Sequence, residues 1–150
     1  MYYQLNVISS QVILTRTYYD PDLVLICLNH FSKLLTMDYQ TVLKQLYQDF
    51  NQRDIDAVLA HVHTNVTWPN GWEGGYVHGH DEVRAYWLRQ WSEIDPKVVP
   101  VSFQAKPGGE VAVAVHQVIK DLNGQVLYDG QVTHTYTFEE GKVSGIVIEE

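Results

Sequence analysis

Residues 131–138 read QVTHTYTF, and this stretch decides the fold. Its side chains alternate, with Val132, His134, Tyr136 and Phe138 on one face and glutamine and threonines on the other. Such alternation is typical of a β-strand with one buried face. A histidine therefore lies among apolar and aromatic neighbours on the inward face of a predicted strand, which makes His134 the first candidate for chemistry.

The segments around this stretch also predict strands. They are rich in β-branched and aromatic residues and are separated by the turn signals PGG, DLNG and EEG. They read VVPVSFQA (98–105), EVAVAVHQVIK (110–120), QVLYDGQVTHTYTF (125–138) and KVSGIVI (142–148).

Helices are predicted before these strands. The segment MDYQTVLKQLYQDFN, from Met37, has apolar residues at helical spacing, and Asp54 can cap a second helix, IDAVLAHV. HDEVRAYWLRQWSEI predicts a third helix, with Asp81 and Glu82 in its first turn. Helices followed by strands indicate an α+β fold with an antiparallel sheet.

Composition narrows the possible partners. The 150 residues fit one domain, and the net charge of -8 without clusters of Lys or Arg argues against nucleic acid or an anionic membrane. Ten Tyr and four Trp give more aromatic surface than a minimal core uses, so some can line a cavity. The single Cys27 reads as a small apolar residue and suits a reducing cytoplasm.

Residues 1–36 differ in composition from the rest. Their charges cancel, so the whole net charge lies in residues 37–150, and their longest apolar run, LVLICL, is too short to span a membrane. They also lack the pattern of a signal peptide. We expect the functional domain to begin at Met37, with residues 1–36 as an extension or a misassigned start.

The segment WPNGWEGGYVHGH, residues 68–80, predicts a pocket wall between the second and third helices. Its glycines permit tight turns, while Trp68 and Trp72 offer flat apolar surface. Asn70, Glu73 and His78 are the polar groups available to a ligand, and Glu73 is the second candidate for a general base. On the third helix, Tyr86 lies beside Trp87 and near Trp91; core packing and pocket lining both remain open for the tryptophans.

Other histidines are weaker candidates. His116, on a neighbouring predicted strand, could be a second acid/base or orienting group, although its face is ambiguous. The pairs His61/His63 and His78/His80 lack the third or fourth ligand that a metal needs, so we expect capping or solvent exposure and no metal or organic cofactor.

The order of these segments resembles the SnoaL-like branch of the nuclear transport factor 2 superfamily. The resemblance covers residues 37–150 and includes LYQDFNQRDIDAVLAHVHTNVTW, the glycine-rich link, GHDEVRAYW and YTFEEGKV. It implies a cone-shaped, cystatin-like fold, in which N-terminal helices pack on a curved antiparallel sheet and enclose a pocket. Members include ketosteroid isomerases, polyketide cyclases, dehydratases, epoxide hydrolases and non-catalytic binding modules.

The resemblance also bears on single positions. It places Trp68 where the isomerases have an Asp general base and Leu46 where they have an oxyanion-stabilising Tyr, and neither residue can perform that role. It places His134 where isomerases and cyclases carry an acidic acid/base residue. A histidine there could still move protons, since its ordinary pKa is about 6.5.

These observations leave different classes of function open. One is a cofactor-independent isomerase, cyclase or dehydratase that uses His134. Another is a non-catalytic module that binds a small apolar or aromatic molecule through Trp68, Trp72, Trp87, Trp91 and Tyr136. The third is an interaction domain that forms a homodimer through the threonine face of residues 131–138.

Overall fold

The computed structural model describes residues 3–8, 11–16 and 21–150, with side chains for residues 21–26 and 39–150. The chain forms two compact units, Met1–Leu35 and Thr36–Glu150. In the first, strand β1 (Tyr3–Ile8) pairs antiparallel with β2 (Gln11–Arg16). The start of the functional domain at Met37 stays a prediction, and the side chains of Cys27 and Met37 lie outside those described.

Helix α1 (Pro21–Asn51) begins earlier than the sequence analysis predicts. Pro21 occupies the first helical position, where its missing N–H group removes no intrahelical hydrogen bond, and Asp22 follows in the first turn. Between Asp22 and Met37 the sequence contains no glycine or proline that would end a helix. The prediction that this helix begins at Met37 is therefore wrong, because nothing in the preceding segment interrupts the helix.

The two following helices agree with the prediction. Asp54 caps α2 (Ile55–Ala60), and its Oδ1 accepts a hydrogen bond of 3.0 Å from the backbone N–H of Ala57. Helix α3 (Gly79–Glu93) carries Asp81 and Glu82 in its first turn. Within the described residues, no helix is long and apolar enough to cross a membrane.

The second unit contains a six-stranded sheet in the order β4-β3-β8-β7-β6-β5. Its strands are β3 (Val62–Pro69), β4 (Tyr76–His78), β5 (Ile94–Ala105), β6 (Val111–Asp121), β7 (Val126–Glu139) and β8 (Lys142–Glu149). All neighbours are antiparallel except β3 and β8, which are parallel. The predicted antiparallel sheet is corrected at this pair: β3 and β8 are distant in sequence, so no tight turn dictates opposite directions.

Irregular pairing accompanies the curvature of this unclosed sheet. The register shifts between Pro100 and Ser102 on β5, between Ile119 and Lys120 on β6, and near Thr137 on β7. Such bulges bend a strand and increase its twist. The helical residues of the second unit share one buried cluster with the sheet, which includes Leu43, Val58, Val83, Trp87, Val113 and Tyr136. The architecture is α+β, with helices packed on a curved sheet, as the sequence analysis predicts.

The start of α3 generates the first prediction. Gly79 has a φ of +72°, and an added Cβ would lie 3.2 Å from the backbone oxygen of Thr64. Gly79→Ala should therefore lower the free energy of unfolding by about 1–2 kcal/mol, measured by urea denaturation. Gly71→Ala is the matched control, since Gly71 has open space and no positive φ. Equal effects of the two substitutions would contradict the prediction.

Candidate functional site

A cavity of about 120 Å³ lies between the helices and the sheet of the second unit. Its wall is mostly aromatic and aliphatic, and no Asp, Glu, Lys or Arg lines it among the described residues. The lining includes Leu46, Tyr47, Phe50, Trp68, Trp72, Tyr86, Trp87, Gln90, Val98, Gln117, His134, Tyr136, Ile146 and Ile148. The site is therefore apolar, with a small number of uncharged polar groups.

Stacked and perpendicular rings form one side of this cavity. Trp87 is 1% exposed, and its ring is perpendicular to that of Trp68, with centroids 5.2 Å apart. Trp91 stacks on Trp87 at 5.9 Å, and Phe50 contacts both indoles edge-on. Close aromatic packing of this kind fixes the positions of the rings. This wall is consequently a rigid surface, against which a flat ligand can lie.

His134 is a buried titratable group in the wall of the cavity. It lies on β7, is 6% exposed and shares its strand face with Tyr136. The hydroxyl of Tyr47, from α1, is 3.0 Å from Nδ1 of His134, and the hydroxyl of Tyr136 donates to that of Tyr47 at 2.8 Å. Nε2 of His134 is buried and has no hydrogen-bond partner among the described residues.

Burial determines the charge of these groups. It lowers the pKa of His134 from 6.5 to about 4, because a buried imidazolium loses its hydration. It also raises the pKa of Tyr47 and of Tyr136 above their usual value. At neutral pH all of them are uncharged. His134 is then a neutral imidazole with one N–H donor and one acceptor nitrogen.

The loop of residues 70–75 closes the cavity beside α3. Arg89 donates from Nε and Nη2 to the carboxylate of Glu73 at 3.0 and 2.9 Å, and Asn70 donates to the same group at 2.8 Å. These contacts lower the pKa of Glu73 to about 2. Trp72 lines the cavity and donates from Nε1 to Glu93 at 2.9 Å. The loop is thus fastened to α3 by polar contacts at its outer edge.

The model of the SnoaL-like domain family matches residues 43–146. The chain belongs to this family. None of the curated proteins matches it.

Several solved structures share this fold. A nuclear transport factor 2-like protein of unknown function from Burkholderia pseudomallei is 24% identical, with a TM-score of 0.66 over 75% of this chain and 89% of that chain. TerC, co-crystallised with polyporic acid, is 22% identical, with a TM-score of 0.65 over 74% and 89%. SalBIII is an epoxide hydrolase/cyclase-like enzyme with a role in pyran ring formation in the polyether salinomycin. It is 19% identical, with a TM-score of 0.63 over 73% of this chain and 88% of that chain. At these identities the similarity shows the fold alone.

Several residues predicted for the pocket of this SnoaL-like domain do line the cavity. They are Trp68, Trp72, Tyr86, Trp87 and Tyr136. His134, predicted as the acid/base, also lines it. Trp91 lies behind Trp87 in the packed wall and is not part of the lining. Asn70 is buried, but its side chain holds Glu73, which is bound to Arg89 and does not line the cavity. The exposed His78 is 3.3 Å from the hydroxyl of Thr67 and also lies outside the lining.

The structure does not bring His116 to the cavity. On β6 it lies directly opposite Gln131 of β7, so the two side chains share one face of the sheet. The side chain of His134, three residues along β7, lies on the other face. Its Nε2 is 2.7 Å from the carboxylate of Asp129, and its side chain is half exposed. The predicted role as a second acid/base at the site is corrected, because the alternation of the strand directs this side chain to the other face.

The other histidines whose side chains the structure describes lie near isolated partners. Nε2 of His61 is 3.7 Å from Asp49, Nε2 of His63 is 3.6 Å from Glu140, and Nε2 of His80 is 2.9 Å from the backbone oxygen of Val62. No group of three or more potential metal-ligating side chains occurs in the described part of the chain.

Tyr47 is one of the polar residues at the site that the sequence analysis did not single out. It was counted only among the apolar residues of one helix face, one position after Leu46, which also lines the cavity. A signal was present, because a tyrosine on a buried helix face needs a partner for its hydroxyl. Gln90 and Gln117 were missed as well, and Gln90 donates to the hydroxyl of Tyr86 at 2.9 Å.

The buried His134 predicts a pH-dependent stability. Its folded-state pKa of about 4 lies below the ordinary 6.5, so as the pH falls the unfolded chain binds a proton first. The contribution of the neutral His134 ring to the free energy of unfolding is complete above pH 6.5 and falls between pH 6.5 and 4. Its full size is about 3 kcal/mol. Urea denaturation at pH 7 and at pH 4.5, still above the folded-state pKa, should show about 2 kcal/mol of this loss.

The control for this prediction is His134→Gln, which has no titrating group at the position and retains the other histidines. The loss of stability between the two pH values should be smaller in this variant than in the wild type. The same loss in both proteins would show that His134 does not titrate as its burial requires.

Proposed function

We propose that this SnoaL-like domain binds a small, largely apolar or aromatic molecule in its cavity, with His134 as the polar group that meets it. Two observations carry the proposal: His134 lines a cavity of aromatic rings, and its buried Nε2 has no partner among the described residues. Ligand pockets are commonly apolar with a few placed polar groups. The wall supplies contact area, and His134 supplies orientation.

The size of the cavity limits the ligand. Its volume of about 120 Å³ is close to that of engineered cavities of about 150 Å³ that bind benzene. With the side chains in this arrangement, a single ring fits. A larger ligand would extend beyond this volume, past the loop of residues 70–75, which contributes Gly71 and the 42% exposed Trp72 to the lining.

The second candidate function is a cofactor-independent isomerase, cyclase or dehydratase. The hydrogen bonds between Tyr136, Tyr47 and His134 favour it, because they could reorganise when a proton moves to or from the ring. SalBIII, which shares the fold, is an epoxide hydrolase/cyclase-like enzyme. No carboxylate lines the cavity in the described part of the chain, so His134 would have to exchange the proton itself. The low pKa of His134 makes it a weak base, and binding is therefore the leading proposal.

The homodimer and the cytoplasmic location stay predictions. The threonine face proposed for the dimer is uneven, since Thr135 is buried and Thr137 accepts a hydrogen bond from Ser144 at 3.3 Å. Exposed apolar side chains do occur on the sheet at Val99, Val101 and Val147.

Adjacent valines on β5 provide a test of the binding proposal. Val98 lines the cavity and is 7% exposed, whereas Val99 is 45% exposed and is not part of the lining. Wild-type protein should bind fluorobenzene saturably in a ¹⁹F NMR titration. Val98→Phe should weaken this binding at least tenfold because the added ring fills the cavity, and Val99→Phe should leave it unchanged.

Folding of Val98→Phe is checked by its urea midpoint, since overpacking costs about 1–3 kcal/mol. Equal binding by both variants, or no saturable binding by the wild type, would contradict the proposed pocket.

The catalytic candidate has a separate test. If His134 transfers protons, the wild-type protein should accelerate exchange of the hydrogens next to the carbonyl of cyclohexanone in D₂O, followed by ¹H NMR. His134→Gln should lose this acceleration, because glutamine keeps hydrogen-bonding capacity but does not take up a proton. Equal exchange rates with and without wild-type protein would count against the catalytic candidate and leave the binding proposal intact.

A further inference from the structure

Three uncharged polar side chains meet at one place in the cavity wall. The hydroxyl of Tyr47 is 3.0 Å from Nδ1 of His134 and 2.8 Å from the hydroxyl of Tyr136. The hydroxyl of Tyr136 is also 3.4 Å from the same Nδ1. Tyr47 is 2% exposed and Tyr136 is fully buried, so neither hydroxyl has access to bulk water. All their hydrogen bonds must therefore be found within this group or with a ligand.

Counting donors shows which arrangement satisfies the group. If Nδ1 of His134 is the acceptor, Tyr136 donates to Tyr47 and Tyr47 donates to Nδ1, so both hydroxyl hydrogens have partners. If Nδ1 carries the hydrogen, it donates to Tyr47, which must then donate to Tyr136. Each arrangement leaves one hydrogen without a partner among the described residues, Nε2–H in the first and the hydroxyl hydrogen of Tyr136 in the second. The second also leaves the lone pair of Nε2 without a donor, and this additional unpaired polar atom is costly in an apolar interior. The first arrangement is favoured, and it places the ring hydrogen on Nε2.

We propose that Tyr47 and Tyr136 are positioning residues that hold His134 as the Nε2–H tautomer, so that the site selects ligands with a neutral oxygen acceptor such as a carbonyl or an ether. This inference rests on the proposed binding function and names its ligand class. Nε2 is the nitrogen of the ring that the tyrosines leave unpaired. In this tautomer it can only donate a hydrogen bond.

The charge of the cavity supports a neutral acceptor. No charged side chain lines it in the described part of the chain, so a carboxylate or phosphate would be desolvated without a counter-charge. Gln90 is another polar residue of the lining, and its amide already has a partner, because it donates to the hydroxyl of Tyr86. A carbonyl or ether oxygen bears no net charge and needs only the one donor that His134 provides.

The tautomer can be measured directly, without any ligand. In ¹⁵N-labelled full-length protein at pH 7, long-range ¹H–¹⁵N correlation spectra should show the hydrogen of His134 on Nε2 and an acceptor-type Nδ1. His134→Gln removes these signals and so assigns them. A hydrogen on Nδ1, or on both nitrogens, in the wild-type protein would overturn the inference.

Variants test whether the tyrosines position the ring. Tyr47→Phe should keep most of the Nε2–H tautomer, because the hydroxyl of Tyr136 is 3.4 Å from Nδ1 and can replace the lost donor. Tyr47→Phe with Tyr136→Phe removes both donors, and the Nδ1 signal should shift towards that of an unbonded nitrogen. An unchanged Nδ1 signal in the double variant would refute the positioning role. If the double variant does not fold, the wild-type spectrum still decides the tautomer.

Three probes of one ring size test the ligand class by NMR titration. Benzaldehyde offers a neutral oxygen acceptor, toluene has no polar group and aniline is chiefly a donor. Wild-type protein should bind benzaldehyde about tenfold more tightly than toluene, and aniline no better than toluene. The preference for benzaldehyde should shrink severalfold in the double variant, whereas toluene binding should persist.

The outcomes separate this inference from the proposed function. Equal binding of benzaldehyde and toluene would overturn the ligand class and leave the pocket intact. Tighter binding of aniline than of benzaldehyde would mean that Nε2 is an acceptor and would overturn the tautomer as well. Binding of none of the probes would overturn the proposed pocket itself.

Discussion

A histidine buried among aromatic rings must be neutral and must have a partner, and this constraint organises the site. His134 is 6% exposed, so a charged ring there would be costly. Its partner, Tyr47, comes from α1, whereas His134 and Tyr136 come from β7. A hydrogen bond of 3.0 Å between a helix and a sheet tolerates little displacement of either element. The polar network therefore helps to fix where the helix lies on the sheet, in addition to determining the chemistry of the cavity.

Further polar contacts hold the cavity at its edges. Asn51, at the end of α1, donates to the backbone oxygen of Val98 at 2.6 Å and accepts from its N–H at 3.0 Å, which ties the helix to β5. Glu73 and Arg89 tie the loop of residues 70–75 to α3. The first contact is between partly buried groups, and the second is exposed to solvent, where ion pairs contribute little free energy. The wall formed by α1 and β5 is thus the more firmly held, and the loop that carries Trp72 is the easier part to move.

The sequence predicted more of the fold than of the site, for physical reasons. Alternation in residues 131–138 placed His134 and Tyr136 on the buried face, because one strand face repeats every second residue. The same rule could not place His116, since its neighbours on both faces are apolar; only the pairing with Gln131 decides its face. Tyr47 was missed because helical periodicity identifies a buried face and does not say which hydroxyl meets which strand. The side chain of Glu73 is held by Arg89 and that of Asn70 by Glu73, and no spacing rule predicts these contacts from the sequence.

The identity of residue 134 determines the polarity of the cavity. The resemblance to isomerases and cyclases places an acidic acid/base residue at this position, and an ionised carboxylate can only accept hydrogen bonds. With a carboxylate, both tyrosine hydroxyls could donate to it directly, and the site would carry a negative charge. In the proposed tautomer of His134, the tyrosines occupy the acceptor nitrogen Nδ1, and the unpaired Nε2 is a donor on an uncharged ring. The resemblance thus implies a charged base at this position in isomerases and cyclases, whereas the proposed tautomer of His134 is an uncharged donor. A cavity with this polarity is suited to holding an oxygen acceptor against an aromatic wall and poorly suited to removing a proton from carbon.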